Sequence, residues 1–137
     1  MKIATNIVGG LLGLAFIAFA IMFFFSMMPK QPTPEQGSPV ALFMGALIPT
    51  GYMNFVKTCE LTGGILVAIP MFRNFGLLLL GPVIVNILAY HIFLTDRSQL
   101  LDPALMIICA MAAFLLWAER HKFAGLLNYA HINRLRD

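Results

Sequence analysis

Two oppositely charged side chains, Lys57 and Glu60, lie near the start of an otherwise apolar stretch of this 137-residue sequence. A charged group at the centre of a bilayer costs about 2.5–3.5 kcal/mol on insertion scales, so a carboxylate retained at that depth is a candidate functional group. Side chains three residues apart meet on a helix, so Lys57 can pair with Glu60 or extend outward to the membrane surface. Glu60 is therefore the first candidate for a ligand-binding or proton-relay residue, with Lys57 beside it.

The next apolar stretch carries Asn86, Tyr90 and His91. At about 100° per residue, Asn86 and Tyr90 share a helix face, whereas His91 lies about 140° away from Asn86. The two stretches are antiparallel neighbours, and both Glu60 and Asn86 fall near mid-depth. We expect Glu60 and Asn86 to pair, with Tyr90 beside them. For Asn86 the pattern favours helix packing over ligand contact, and for His91 it favours an interfacial residue over a metal ligand.

Metal, dithiol and catalytic signatures are absent from the sequence. Cys59 and Cys109 do not form a Cys-x-x-Cys motif, and the three histidines have no two-ligand spacing, which argues against a metal site. The sequence also lacks a glycine-rich phosphate loop, Gly-x-Ser-x-Gly and His-Glu-x-x-His. We interpret the two cysteines as buried, inert thiols, with a disulfide between them as an alternative. We expect no catalytic residue.

The composition indicates an integral membrane protein. Apolar residues make up 60% of the chain and charged residues 11%, with a mean hydropathy of +0.86. Soluble domains contain about 25% charged residues. The length allows four spanning helices with short loops as a single membrane domain over 1–137, surrounded by the lipid bilayer, and no second soluble domain. The net charge of +3 is too small and scattered to indicate a nucleic-acid partner.

An all-α fold follows, a four-helix transmembrane bundle with two additional helices. The apolar runs predict spans at about 3–28, 51–72, 75–95 and 103–118. The first run is too long for a signal peptide. A proline-rich loop leads to a short helix at about 39–48, and a C-terminal amphipathic helix follows in the tail, 119–137.

Prolines and polar caps predict where several helices begin or bend. Ser38-Pro39 and Asp102-Pro103 each combine an N-cap with proline at the first helical position. Pro82 predicts a kink in the third span. Arg73-Asn74 is expected to form a very tight turn between the second and third spans. For the tail, a helix on the membrane surface is favoured over one that docks onto a partner.

The distribution of lysine and arginine predicts that both termini are cytoplasmic. In that orientation six basic residues lie on the inner side: Lys2, Arg73, Arg120, Lys122, Arg134 and Arg136. The outer side then holds Lys30, Arg97 and, where it reaches the surface, Lys57. The proline-rich loop and the short helix face outward in this arrangement.

Four glycines are placed where helices could pack closely. Gly9 and Gly13 have the Gly-x-x-x-Gly spacing in the first span, and Gly63 and Gly64 lie one turn beyond Glu60. Small residues allow backbones to approach one another in membrane helices. We therefore expect a neighbouring helix to lie against the glycine pair of the second span.

The order of these features resembles the DoxX family of small bacterial membrane proteins. The family pattern falls on Gly51-Tyr52, Glu60 with Gly63-Gly64, Pro82 to Ile87, and His91-Ile92-Phe93. The resemblance is best over the second and third spans, and the first span and proline-rich loop also fit. It implies a four-helix bundle in the bacterial cytoplasmic membrane. It also implies association with quinone-linked oxidoreduction or oxidative-stress complexes, with a quinone as candidate cofactor, but supplies no catalytic residue.

Three functions are compatible with these observations. The first is an accessory subunit of a quinone-linked redox or oxidative-stress membrane complex, in which Glu60, Asn86, Tyr90 and His91 bind a quinone-like head group or relay a proton. The second is a structural or assembly protein without a ligand, in which Glu60 and Asn86 lock the helix pairing. The third is a small-molecule transporter, which requires an oligomer because four spans are few for alternating access. The possible partners are another membrane protein or further copies of this chain.

Overall fold

The computed structural model describes residues 1–30, 32–95 and 97–125, and these ranges contain helices and no strand. The α-helices are α1 (Lys2–Phe24), α2 (Pro39–Leu47), α3 (Tyr52–Ala68), α4 (Arg73–Phe93) and α5 (Pro103–Ala118). A 3₁₀ helix, Arg97–Leu101, connects α4 to α5, and a helical segment over 120–125 follows α5. The all-α class is therefore confirmed. The predicted tail helix lies mostly outside the described residues, and so does His131.

The predicted helix caps are confirmed at two positions. The Ser38 side chain accepts a hydrogen bond from the backbone N–H of Ala41 at 3.2 Å. The Asp102 carboxylate accepts from the N–H groups of Ala104 and Leu105 at 2.7 and 3.4 Å. Proline occupies the first turn of both helices. These contacts satisfy N–H groups that a helix cannot bond internally.

The connection between α3 and α4 differs from the prediction. Helix α3 ends at Ala68 instead of near residue 72, and α4 begins at Arg73, so the expected Arg73-Asn74 turn is wrong. The physical cause is Pro70, which disfavours helical geometry at the preceding residue. Ile69 accordingly has φ −88° and ψ 116°, which is extended backbone. Arg73 is therefore a helical residue, and its side chain is directed by α4.

By length and composition, α1 and α4 could each cross a membrane. Helices α2 and α3 are bent by 80° relative to each other and count as a third candidate span if taken together. Helix α5 is apolar but has 16 residues. The described residues thus contain two or three candidate spans, and a bundle of four spans stays a prediction.

Helix α3 lies at the centre of the packing, in contact with α1 on one side and α4 on the other. Helix α5 contacts α1 and α4. The buried core joins side chains from all four helices: Leu12, Phe16, Val67, Leu77, Leu80, Ile84, Ala112 and Leu115. Short helix α2 contributes no buried residue.

Glycines allow the closest helix approaches. A Cβ atom added at Gly13 of α1 would meet the carbonyl oxygen of Gly64, and one added at Gly64 would lie 2.9 Å from the carbonyl oxygen of Gly13. About 100° around α3, a Cβ atom at Gly63 would lie 2.7 Å from the Leu80 side chain. The predicted packing glycines of α3 therefore face two different neighbours, α1 and α4.

Candidate functional site

Glu60 is buried and forms an ion pair within its own helix. Its side chain is 4% exposed, and its Oε2 accepts a hydrogen bond from Lys57 Nζ at 2.8 Å. The Lys57 side chain is 16% exposed, and its ammonium lies 5.9 Å from the centre of the Phe23 ring of α1. Of the two positions expected for Lys57, the structure has the pairing with Glu60. The carboxylate is thereby neutralised by a neighbouring cation.

Asn86 does not pair with Glu60, and that expectation is wrong. Among the described residues the hydrogen-bond partner of Glu60 is Lys57, whereas the Asn86 side chain is exposed on α4. Asn86 lines a groove to which α3 contributes Val56 and Cys59, and Glu60 lies outside that lining. The cause is rotation of α3, because neighbouring positions along a helix point in directions about 100° apart.

This apolar groove, formed by α2, α3 and α4, has a volume of about 390 Å³. Three aromatic rings contribute to its wall, those of Phe43, Tyr52 and Phe55. On α4 the lining includes Pro82 and Asn86. The groove is therefore aromatic and aliphatic with one side-chain amide, an arrangement suited to an apolar ring that carries a hydrogen-bond acceptor or donor.

Tyr90 and His91 lie beyond the groove, near the end of α4. The Tyr90 ring is 5.7 Å from the Phe43 ring and 5.3 Å from the His91 ring, with an edge-on orientation to the latter. His91 Nδ1 lies 2.8 Å from the carbonyl oxygen of Ile87, one turn earlier in the same helix. The imidazole thus makes a local contact that orients it. Tyr90 contacts the helix that forms one wall of the groove.

A second polar cluster, which the sequence reasoning missed, is centred on Arg73. Its side chain is 3% exposed. The guanidinium donates from Nη2 to Asn6 Oδ1 at 2.9 Å, from Nη1 to Glu119 Oε1 at 3.4 Å, and from Nε to the Val67 carbonyl at 3.4 Å. Glu119 Oε2 also pairs with Lys122 Nζ at 2.7 Å. We refer to Asn6, Arg73, Glu119 and Lys122 as the Arg73 network.

The network connects three helices at one end of the molecule. Asn6 lies in α1, Arg73 begins α4, and Glu119 directly follows α5. Gly9 leaves room for the guanidinium, because a Cβ atom there would lie 2.7 Å from Arg73 Nε. Gly9 is therefore a packing glycine whose neighbour is a charged side chain. The sequence feature that could have predicted this network is a basic residue, Arg73, at one end of a predicted span and a carboxylate, Glu119, at the same end of another.

The structure also places the two cysteine thiols and the side chains that could bind a metal ion. Cys59 and Cys109 are both free thiols and partly buried, so the alternative of a disulfide between them is wrong. Cys59 belongs to the apolar groove. Within the described ranges, no group of three or more histidine, cysteine, aspartate or glutamate side chains is placed to hold a metal ion.

Comparison with known proteins gives a relative whose name describes it as uncharacterized. No protein-family model matches the chain, and no solved structure matches it. The uncharacterized protein YwoB of Bacillus subtilis (strain 168) is 30% identical over 82 residues, which cover 60% of this chain and 51% of that protein. The chain thus spans about half the length of the curated relative it matches.

Proposed function

We propose that this chain is a DoxX-like integral membrane protein that serves as a non-catalytic, quinone-binding accessory subunit of a redox or oxidative-stress membrane complex. The observation that carries the proposal is the apolar groove with Asn86 in its lining. Because Glu60 is already ion-paired with Lys57, we assign the ligand to this groove and not to these two charged side chains. The proposed ligand site therefore differs from the Glu60–Asn86 pair expected from sequence.

The chemistry of the groove matches a quinone head group. A quinone has a flat, apolar ring with two carbonyl acceptors. The Asn86 amide can donate a hydrogen bond to one carbonyl, and the rings of Phe43, Tyr52 and Phe55 offer faces and edges for ring contacts. The groove volume of about 390 Å³ lies in the range of small-molecule sites, roughly 300–1,000 Å³.

We further propose a four-span bundle of α1, α3, α4 and α5 in the bacterial cytoplasmic membrane, with both termini in the cytoplasm. The mutual packing of these helices supports this arrangement. At about 1.5 Å per residue, the 17 residues of α3 and the 16 of α5 extend about 24–25 Å, roughly 5 Å less than the hydrocarbon thickness of about 30 Å. Basic residues Lys2, Arg73 and Lys122 then lie at the cytoplasmic end.

The test measures quinone that co-purifies with the protein after extraction in a mild detergent. Val83 lines the groove, and Val85, two positions later in α4, is 65% exposed and lies outside that lining. Val83→Trp fills the groove and is expected to abolish co-purification. Val85→Trp is the matched control and should retain the wild-type quinone content. Asn86→Leu removes one hydrogen bond, about 1 kcal/mol, and should weaken binding of an added short-chain quinone about fivefold.

Two results would contradict the ligand proposal. The first is equal quinone content in the Val83→Trp and Val85→Trp proteins, because the bound quinone would then lie elsewhere. The second is absence of quinone from the wild-type protein together with no saturable binding of added quinone in lipid nanodiscs. Quinone content is quantified by mass spectrometry per mole of protein.

A second candidate function, a structural or assembly protein without a ligand, is favoured by the ion pairs. Within the part of the chain that the structure describes, two carboxylates are buried, Glu60 and Glu119, and both are paired with cations of the same chain. Such pairs can fix helix packing without any external molecule. For this function, Val83→Trp should leave the amount and activity of any co-purified membrane partner unchanged, whereas disruption of the Arg73 network should reduce both.

A further inference from the structure

A second cavity, also of about 390 Å³, opens beside the Arg73 network. It lies where α1 and α4 begin and α5 ends, away from the apolar groove. Its polar lining comes from six side chains: Lys2, Thr5, Asn6, Arg73, Glu119 and Lys122. In the proposed membrane arrangement this basic cavity is at the cytoplasmic boundary of the bilayer.

The charges around the basic cavity are predominantly positive. Three cations, Lys2, Arg73 and Lys122, line it together with one carboxylate, Glu119. Glu119 is already paired on both oxygens, with Arg73 at 3.4 Å and Lys122 at 2.7 Å. Its negative charge is therefore compensated inside the network. The excess positive charge lies around an open space and favours an anion there.

The donor geometry suits an oxyanion in particular. A guanidinium has five N–H donors, and three hydrogen bonds of Arg73 to described residues leave two N–H groups for another acceptor. Lys122 is 60% exposed, so its ammonium can reach an additional acceptor. The first turn of α4 has neither an acidic residue nor a side-chain cap at Phe72, so its positive end is not neutralised locally.

We propose that the basic cavity binds a phosphate group, supplied by the headgroup of an anionic phospholipid or by a free phosphate anion. Arg73 holds one face of the group through its two remaining N–H groups, and Lys2 and Lys122 contact it from the solvent side. Phosphate oxygens accept charge-assisted hydrogen bonds from both kinds of side chain. This site is separate from the quinone groove and does not depend on a quinone being bound.

The test is the thermal midpoint of the detergent-purified protein with phosphatidylglycerol, with phosphatidylcholine of the same acyl chains, and with inorganic phosphate against chloride at equal ionic strength. Lys2→Gln/Lys122→Gln keeps Arg73 and removes two cavity charges. The matched control, Lys30→Gln/Arg120→Gln, removes two exposed charges outside the cavity lining. The cavity variant should bind phosphatidylglycerol about fivefold more weakly for each lysine removed. The control should bind as wild type.

The arms of the experiment distinguish the source of the phosphate. Stabilisation by phosphatidylglycerol alone identifies a lipid headgroup, and stabilisation by inorganic phosphate as well shows that a free anion is sufficient. Equal stabilisation by phosphatidylglycerol and phosphatidylcholine without any phosphate effect overturns the proposal, because the choline cation offsets the phosphate charge of phosphatidylcholine and a basic cavity should prefer the anionic headgroup. The same conclusion follows if the cavity variant and the control lose affinity equally. Quinone co-purification is unaffected in each case, so failure of this site leaves the groove proposal standing.

Discussion

Arg73 connects the separate helices through a single side chain. It reaches Asn6 in α1, the end of α3 through the Val67 carbonyl, and Glu119 after α5. A charge removed from water is costly, and this cost is offset only when its partners are well placed. The arrangement therefore stabilises one relative position of these helices and would lose that advantage if they shifted.

Arg73→Leu is expected to lower the free energy of unfolding by about 1–3 kcal/mol, because the Glu119 carboxylate, 9% exposed, then keeps only the exposed Lys122 as an ion-pair partner. Arg73→Leu/Glu119→Leu should lose less than the single variant, since no buried carboxylate stays behind. Unfolding by SDS titration in mixed micelles measures both values.

The control for Arg73 is Arg120→Leu, which removes an exposed arginine stacked 4.5 Å from the Trp117 ring. Its expected cost is below about 1 kcal/mol, as for other surface cation–ring contacts. If the losses from Arg73→Leu and Glu119→Leu simply add in the double variant, the two side chains are energetically independent. The interpretation of Arg73 as a paired buried charge would then be incorrect.

The Lys57–Glu60 pair predicts unequal effects of its two substitutions. Lys57→Met leaves Glu60 buried without a cation, whereas Glu60→Gln keeps an oxygen that can accept from the partly exposed Lys57. Lys57→Met should therefore be more destabilising, by about 1 kcal/mol or more. Unfolding in mixed micelles compares them, with exposed Glu35→Gln as the control. Equal losses would show that burial of Glu60 does not determine the cost.

At the scale of single residues, the sequence predicted the intrahelical contact as one of two alternatives for Lys57, and it missed the contacts between distant residues. Lys57 and Glu60 are three positions apart, so one helix is enough to bring them together. Arg73 and Glu119 are separated by 46 positions, and their meeting depends on how α4 and α5 pack. Asn86 was assigned the wrong partner for the same reason, because its direction depends on the rotation of two helices.

At the scale of helices, the close contact between α1 and α3 can be tested by a substitution that adds a single methyl group. Gly13→Ala would place Cβ against the Gly64 carbonyl and 2.9 Å from Ala68 Cβ, whereas Gly10→Ala meets nothing within 4 Å. We expect Gly13→Ala to cost about 1–3 kcal/mol in unfolding free energy through overpacking, and Gly10→Ala to cost nothing. Equal stability of the two variants would mean that α1 and α3 do not approach at Gly13.

The junction between α2 and α3 can be tested through backbone conformation alone. Gly51 has φ +77°, a left-handed conformation, and an added Cβ would meet nothing within 4 Å. Gly51→Ala should therefore cost about 1 kcal/mol from backbone strain without any clash. Gly45→Ala, in α2 with equally open surroundings, is the control and should not be destabilising. A neutral Gly51→Ala in thermal unfolding would argue against the left-handed turn.

Element boundaries were predictable where a side chain acts on its own backbone. Ser38 and Asp102 cap the helices that follow them, and both starts were predicted correctly. The end of α3 was placed too late, although Pro70 disfavours helix at Ile69. The apolar residues around Pro70 favoured a helix that continues to about residue 72, because hydropathy alone does not distinguish a helix from an extended segment between two helices.

At the scale of the whole molecule, the proposed topology places the start of α1 and the end of α5 on the cytoplasmic side. In a Cys59→Ala/Cys109→Ala background, Glu35→Cys should react with a membrane-impermeant maleimide added outside intact cells. His121→Cys should react only after the membrane is permeabilised. Both residues are exposed, so accessibility in the folded protein does not limit either reaction.

Labelling of both positions in intact cells, or of neither, would contradict the four-span topology, because residues 35 and 121 would then share one side. The reverse pattern would place both ends outside. Labelling of both positions in detergent-solubilised protein is the control for thiol reactivity.

The distance along the chain between Arg73 and Glu119 has a consequence for biogenesis. A ribosome completes Arg73 46 residues before it reaches Glu119. Throughout that interval the part of the chain already made contains an arginine whose carboxylate partner has not yet been made. Only translation of α5 and the residue after it supplies the partner. A chain that stalls earlier therefore displays an uncompensated cation, which makes incomplete protein chemically distinguishable from finished protein at the membrane.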